Sequence, residues 1–255
     1  MESRFRGLLL AGLCALFACD AVGTAPETGQ APQRPVAERH QPQPSPGRAV
    51  APSSTASETI DALSSQQGLK VDAGDFVLRL TGSGCRKFAG DVVVCDQGNR
   101  LEIAAADGNL LQTLQPESVF VDSNALAYRG PLDKSGQPDT HTFVMGDANS
   151  DGRDDLMIWS GREGAYGGPS FDVYLFDPAT AEFKHNQPFS ELTVGYLGLF
   201  RVEGGRIKTA SKSGCCIHVY ETYAVEDNVP RLVERVTEDA TKGEGDYAGA
   251  RSAGG

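Results

Sequence analysis

The chain has 255 residues, 22% of them charged, and a formal net charge of −11 at pH 7. No basic stripe or cluster of aromatic and basic residues occurs, which argues against nucleic acid as a partner. An acidic surface favours a basic partner, although acidity also serves plain solubility.

The first elements are targeting signals. Arg4 and Arg6 precede an apolar run from Gly7 to Ala18 that is too short for a comfortable membrane span, so residues 1–18 read as a signal peptide. The run ends Leu16-Phe17-Ala18-Cys19, which resembles the lipobox of bacterial lipoproteins. That resemblance implies a lipid on the Cys19 sulfur and cleavage just before it. Asp20, next in the chain, points by the same resemblance to the periplasmic face of the inner membrane. Residues 19–56 then form the lipidated cysteine and a spacer rich in Pro, Gln, Ser and Ala, with too little apolar surface to offset the entropy of folding. A tail over residues 242–255, ending in small residues, is expected to be disordered as well.

Residues 57–241 suit one domain. A helical stretch is expected near Glu58–Leu63. Strands are expected at Asp75–Leu80, Asp91–Cys95, Arg100–Ala104, Ser118–Val121, Thr142–Met145, Leu156–Trp159, Phe171–Phe176, Gly198–Val202 and Ile217–Tyr223. Gly, Asp and Asn punctuate them. The class is all-β, and many short antiparallel strands argue for a β-sandwich, a barrel or a propeller. No clean internal repeat occurs, so the propeller-like domain expected here rests on the family resemblance given below, with a β-sandwich as the alternative. An exported chain meets an oxidising compartment, so Cys85, Cys95, Cys215 and Cys216 are candidates for disulfides. A Cys85–Cys95 bond across a hairpin leaves the neighbours Cys215 and Cys216 to form a vicinal ring or to stay free. Either other pairing joins distant parts of the domain, and spacing does not choose among the three.

The most specific motif is Asp147-Ala148-Asn149-Ser150-Asp151-Gly152-Arg153-Asp154-Asp155. Oxygen-bearing side chains stand at Asp147, Asn149, Asp151 and Asp155, Gly152 permits a sharp turn, and the Arg153 carbonyl supplies another oxygen. Hard oxygen donors suit Ca2+. Ile158 stands where an EF-hand has its bidentate glutamate, and the expected flanks are strands. The spacing is therefore similar to the strand-loop-strand calcium loops of FG-GAP-type repeats. A glycine-rich loop, Gly161–Pro169, follows the next strand and carries Tyr166 between Ala165 and Gly167-Gly168. A large amphipathic ring on such a loop is a good anchor for a partner's cleft.

The order of lipobox, spacer, calcium loop, Tyr166–Leu175 run and Ser211–His218 segment resembles the periplasmic immunity lipoproteins of bacteria-killing type IV secretion systems. The resemblance runs from about Asp139 to Arg235. It implies a calcium-bearing, propeller-like fold and inhibition of a lysozyme-like peptidoglycan hydrolase effector. It also implies a projecting loop similar to the Ser-Gly-x-Tyr loops of periplasmic lysozyme inhibitors. Ser160, Gly161, Tyr166, Gly167 and Gly168 are the matching positions. Four residues separate Gly161 from Tyr166 where the shorter motif has one, and Ser213-Gly214 is a second candidate for the Ser-Gly part.

No Gly-x-Ser-x-Gly elbow, His-Glu-x-x-His helix or phosphate loop occurs, so an enzyme is not expected. The alternative to an inhibitor is a calcium-dependent carbohydrate-binding or cell-wall adaptor lipoprotein.

Overall fold

The computed structural model describes residues 55–133 and 138–242. The signal peptide, Cys19, the spacer up to residue 54 and the tail from residue 243 lie outside the described residues. Among the described residues no helix is long and apolar enough to cross a membrane.

Thr55 opens helix α1 (Ala56–Ser64) with a capping box. Its hydroxyl accepts from the Glu58 amide at 3.3 Å, and the Glu58 carboxylate accepts the Thr55 amide at 2.6 Å. Ala56, Thr59 and Leu63, at helical spacing, are its buried stripe. The strands follow in chain order: β1 (Leu69–Ala73), β2 (Phe76–Ser83), β3 (Arg86–Ala89), β4 (Val92–Cys95), β5 (Gln97–Ala105), β6 (Leu110–Leu114), β7 (Val119–Asp122) and β8 (Ala127–Arg129). Then come β9 (Phe143–Gly146), β10 (Asp155–Gly161), β11 (Ser170–Asp177) and β12 (Glu182–His185). Helix α2 (Gln187–Glu191) precedes β13 (Arg201–Glu203), β14 (Arg206–Ser213), β15 (Ile217–Glu226) and β16 (Val229–Asp239).

The class is all-β. Four sheets form, ordered β1-β2-β5-β6, β3-β4-β7, β8-β9-β10-β11-β12 and β13-β14-β15-β16. Pairing is antiparallel except between β8 and β9. The β8–β12 sheet is apolar on both faces. Phe143, Met145, Leu156, Ile158 and Tyr174 join α1 and the first two sheets in one core. Val144, Met157, Phe171, Val173 and Leu175, one residue out of phase, join Phe189, Phe200, Ile207 and Tyr223 in a second core. Two cores on opposite faces of one sheet differ from a two-sheet sandwich, which has a single core between its layers.

One expected strand needs correction. The strand expected at Gly198–Val202 begins at Arg201 instead, because Gly198 adopts φ 87° and Leu199 and Phe200 enter the second core from irregular backbone. The cysteines pair as Cys85–Cys95 and as the vicinal Cys215–Cys216, with Cα separations of 4.0 and 3.8 Å. The first bond ties the start of β3 to the end of β4. The second sits in the turn between β14 and β15.

Candidate functional site

Both sequence motifs adjoin β10. The Asp147–Asp154 loop enters it and the Arg162–Pro169 loop leaves it. In the entering loop side chains face inward and satisfy backbone amides. The Asp147 carboxylate accepts from the amides of Asp151 at 3.1 Å and Gly152 at 3.0 Å, and Asn149 Oδ1 accepts from the same Asp151 amide at 3.1 Å. Asp151 Oδ1 accepts from the Arg153 amide at 2.9 Å. Ser150 and Gly152 take positive φ, 64° and 85°, which closes the curl. Asn149 Nδ2 also donates to Asn228 Oδ1 at 2.9 Å, which joins the loop to the turn between β15 and β16.

Asp155 lies fully buried at the base of the loop. Its two oxygens accept from the amides of Ala148 at 2.9 Å and Phe176 at 2.8 Å. Burial pushes its carboxyl up to about 7 against these bonds, and the negative charges of Asp151 and Asp147 add to the rise. The side-chain oxygens of Asp147 and Asn149 thus converge on one amide, in a loop that ends at a carboxyl whose charged form burial disfavours. Among the described residues no group of three or more His, Cys, Asp or Glu side chains closes on a shared metal position.

The leaving loop is held by its backbone. The Gly164 amide donates to the Gly168 carbonyl at 3.2 Å, and the Gly167 and Gly168 amides donate to the Gly164 and Ala165 carbonyls, both at 3.1 Å. A Cβ on Gly164 would come within 2.8 Å of the Pro169 and Gly168 carbonyls, so the closure needs glycine there. Two bonds fasten the loop to residues 195–196: Ala165 N–H to Tyr196 O and Gly195 N–H to Glu163 O, both 2.7 Å. The Arg162 guanidinium donates to the Gly167 carbonyl and lies 5.0 Å from the Phe88 ring centroid.

Tyr166 stands at the tip with φ 57° and 73% of its surface exposed. Its hydroxyl donates to the Gly214 carbonyl at 2.9 Å, across 48 residues of sequence. Gly214 immediately precedes the Cys215–Cys216 disulfide. The second Ser-Gly candidate, Ser213-Gly214, is therefore the one beside Tyr166.

Ser160 and Gly161 sit elsewhere. They end β10, where Gly161 pairs with Ser170 across a bulge and its carbonyl accepts the Trp159 indole N–H at 2.8 Å. Ser160 lines a separate cleft of about 590 Å³ with Glu117, Glu163, Asp172, Tyr174 and His185. Burial raises the Asp172 carboxyl there. Its bond from Ser160 and the nearby His185 oppose the rise, while Glu117 and Glu163 add to it.

Sequence reasoning missed the support beneath the tip. Glu221, on β15, is 4% exposed and accepts hydroxyl protons from Tyr196 and Tyr223, both at 2.6 Å, and the Arg235 Nε–H at 2.6 Å. Burial pushes this carboxyl up, but the two phenols and the arginine outweigh burial and hold it below the ordinary glutamate value. Tyr196 is thereby fixed on the same segment whose carbonyl receives Ala165. The available signal was Glu221 and Tyr223 at i and i+2, facing the same side of one strand.

No protein-family model matches the chain, and no curated protein matches it. A solved structure, that of a Xanthomonas type IV secretion system related protein, is similar at 37% identity and a TM-score of 0.65. The similarity covers 70% of this chain and 86% of the Xanthomonas one. The chain belongs to that protein's family.

Proposed function

We propose that this chain is a periplasmic immunity protein, anchored to the inner membrane through a lipid on Cys19, that binds and inhibits a lysozyme-like peptidoglycan hydrolase. It acts by binding and carries out no chemistry of its own. The Gly161–Pro169 loop enters the hydrolase cleft, with Tyr166 as the anchor. The observation that carries this reading is a tyrosine 73% exposed yet fixed at both ends, by a hydrogen-bonded backbone turn and by its hydroxyl bond to Gly214. An exposed aromatic that is already ordered costs little further entropy on binding, which favours its use as an anchor. The similarity to a type IV secretion system related protein supports the setting, since the sequence resembles the immunity lipoproteins of such systems.

The geometry divides the labour of the expected loop. Tyr166, Gly167 and Gly168 form the tip, with Gly214 beside it. Ser160 and Gly161 serve the base. The Tyr166 hydroxyl donates its proton to Gly214, so in a complex it accepts a hydrogen bond from the hydrolase or exchanges Gly214 for a carboxylate in the cleft.

In this reading Ca2+ stabilises the entering loop. Asp147, Asn149, Asp151 and Asp155 would supply side-chain oxygens and Arg153 its carbonyl. The ion would offset the charge that Asp147 and Asp151 place near buried Asp155.

The test is to mix the full chain with a lysozyme-like peptidoglycan hydrolase effector and follow peptidoglycan clearance. Stoichiometric loss of clearance supports the reading. Full clearance in molar excess of the chain rejects it, and retention of the chain on purified peptidoglycan alone favours the carbohydrate-binding alternative.

A further inference from the structure

We propose that the Cys215–Cys216 disulfide is a positioning device for Tyr166, so that its reduction releases the ring from a fixed pose. This deepens the reading above, on which only its inhibition readout rests.

Three observations carry it. First, the hydroxyl of Tyr166 bonds at 2.9 Å to the carbonyl of Gly214, the residue joined directly to Cys215. Second, the turn is short: β14 ends at Ser213 and β15 begins at Ile217, and these two residues are paired. Gly214 takes φ 69°, and the Cys216 carbonyl is held from the other side by the Ala240 amide at 2.7 Å. Third, Ser213, Gly214 and Cys215 are exposed, so burial does not hold the Gly214 carbonyl in place. An exposed hydroxyl-to-carbonyl bond competes with water and orders a ring only where the acceptor itself is held still. A covalent ring closed between adjacent cysteines removes torsional freedom from the residues next to that acceptor. Tyr166 is thus tied to the one part of the turn that a disulfide makes rigid.

The release is an ordinary exchange with a dithiol reductant. Its thiolate attacks one sulfur, a mixed disulfide forms, and the reductant's second thiol closes to a cyclic disulfide. Cys215 and Cys216 each leave as a thiol with one proton gained, and the reductant is oxidised by the matching two electrons. Cys95 is fully buried while Cys215 is exposed, so mild dithiol opens the turn before the Cys85–Cys95 bond.

The experiment compares the full chain, oxidised and mildly reduced, with the double variant Cys215→Ser/Cys216→Ser and with Tyr166→Phe. The hydrolase-free readout is the order parameter of the aromatic ring at position 166. It is expected to fall on reduction, in the double variant and in Tyr166→Phe, to below about 0.6 as for a flexible group. Reduction of Tyr166→Phe should change nothing further, because the bond that links loop and turn is already gone. The inhibition constant should rise roughly threefold to tenfold on reduction, the scale of ordering one side chain. Unchanged order parameters on reduction overturn the proposal, as does an equal response to reduction in Tyr166→Phe and wild type. Loosening with inhibition intact supports the positioning role and rejects Tyr166 as the inhibitory anchor. Should the double variant fail to fold, the reduced wild type and Tyr166→Phe decide the matter alone.

Discussion

Two loops flank the same strand, β10, and they use their residues in opposite ways. Between β9 and β10 the side chains of Asp147, Asn149, Asp151 and Asp155 turn inward and accept backbone amides. Between β10 and β11 the backbone closes on itself through Gly164, Gly167 and Gly168, and the Tyr166 side chain is left outside. A loop ordered by its side chains has none left for a partner. A loop ordered by its backbone can present a side chain at little entropic cost. On the function proposed above, the first loop serves stability and the second recognition, and each variant below tests one half of that division.

The largest effect on stability is expected from Asp155→Ala. It strands the amides of Ala148 and Phe176 in a buried site and, measured near pH 5 where a carboxyl raised to about 7 is uncharged and its removal relieves no buried charge, should cost about 3 kcal/mol. On a domain of this size that lowers the melting temperature by roughly 6–12 °C. A loss below about 1 kcal/mol would mean that the entering loop is not held by its side chains.

Glu221→Gln should come next, because a neutral amide weakens the bonds from Tyr196, Tyr223 and Arg235. The expected cost is about 1–3 kcal/mol at neutral pH. The sign of its pH dependence follows from a folded pKa held below the ordinary value of 4.5. The contribution is complete above that value and is lost as pH falls through the lower, folded pKa. Melting curves of wild type and variant should therefore converge in acid and separate at neutral pH. A constant gap across that range would show that Glu221 is not charged in the folded protein.

Chelation is a smaller, conditional perturbation. If Ca2+ occupies the first loop, a chelator should lower the melting temperature of wild type and leave Asp147→Ala/Asp151→Ala unmoved, since a ligand stabilises the state that binds it. Equal responses from both would remove calcium from the account. The smallest effect on stability belongs to Tyr166→Ala, within about 0.5 kcal/mol, as for other exposed positions.

The sequence made some of this fold legible and hid the rest for physical reasons. Phe143–Met145 and Leu156–Ile158 read as strands because burial on both faces demands an unbroken apolar run. Strand β16 went unread because its middle, Arg231–Arg235, is exposed, so pairing with β15 rather than an apolar face makes it a strand. Strand β12 was hidden because Phe183 is its one buried residue. The Asp147–Asp155 motif was visible because its spacing is local. The neighbourhood of Tyr166 was not: Gly214 lies 48 residues away, and Glu221 reaches the tip only through Tyr196. Local spacing found each loop, and only the fold could show that the tyrosine and the disulfide turn meet.

The most direct test of the central claim is the inhibition constant of Tyr166→Ala against the hydrolase proposed as its partner, measured beside its melting temperature. A central aromatic anchor is worth about 2 kcal/mol or more, so inhibition should weaken roughly thirtyfold or more while the melting temperature stays at the wild-type value. Inhibition equal to wild type by a folded Tyr166→Ala protein would contradict the assignment of recognition to this loop.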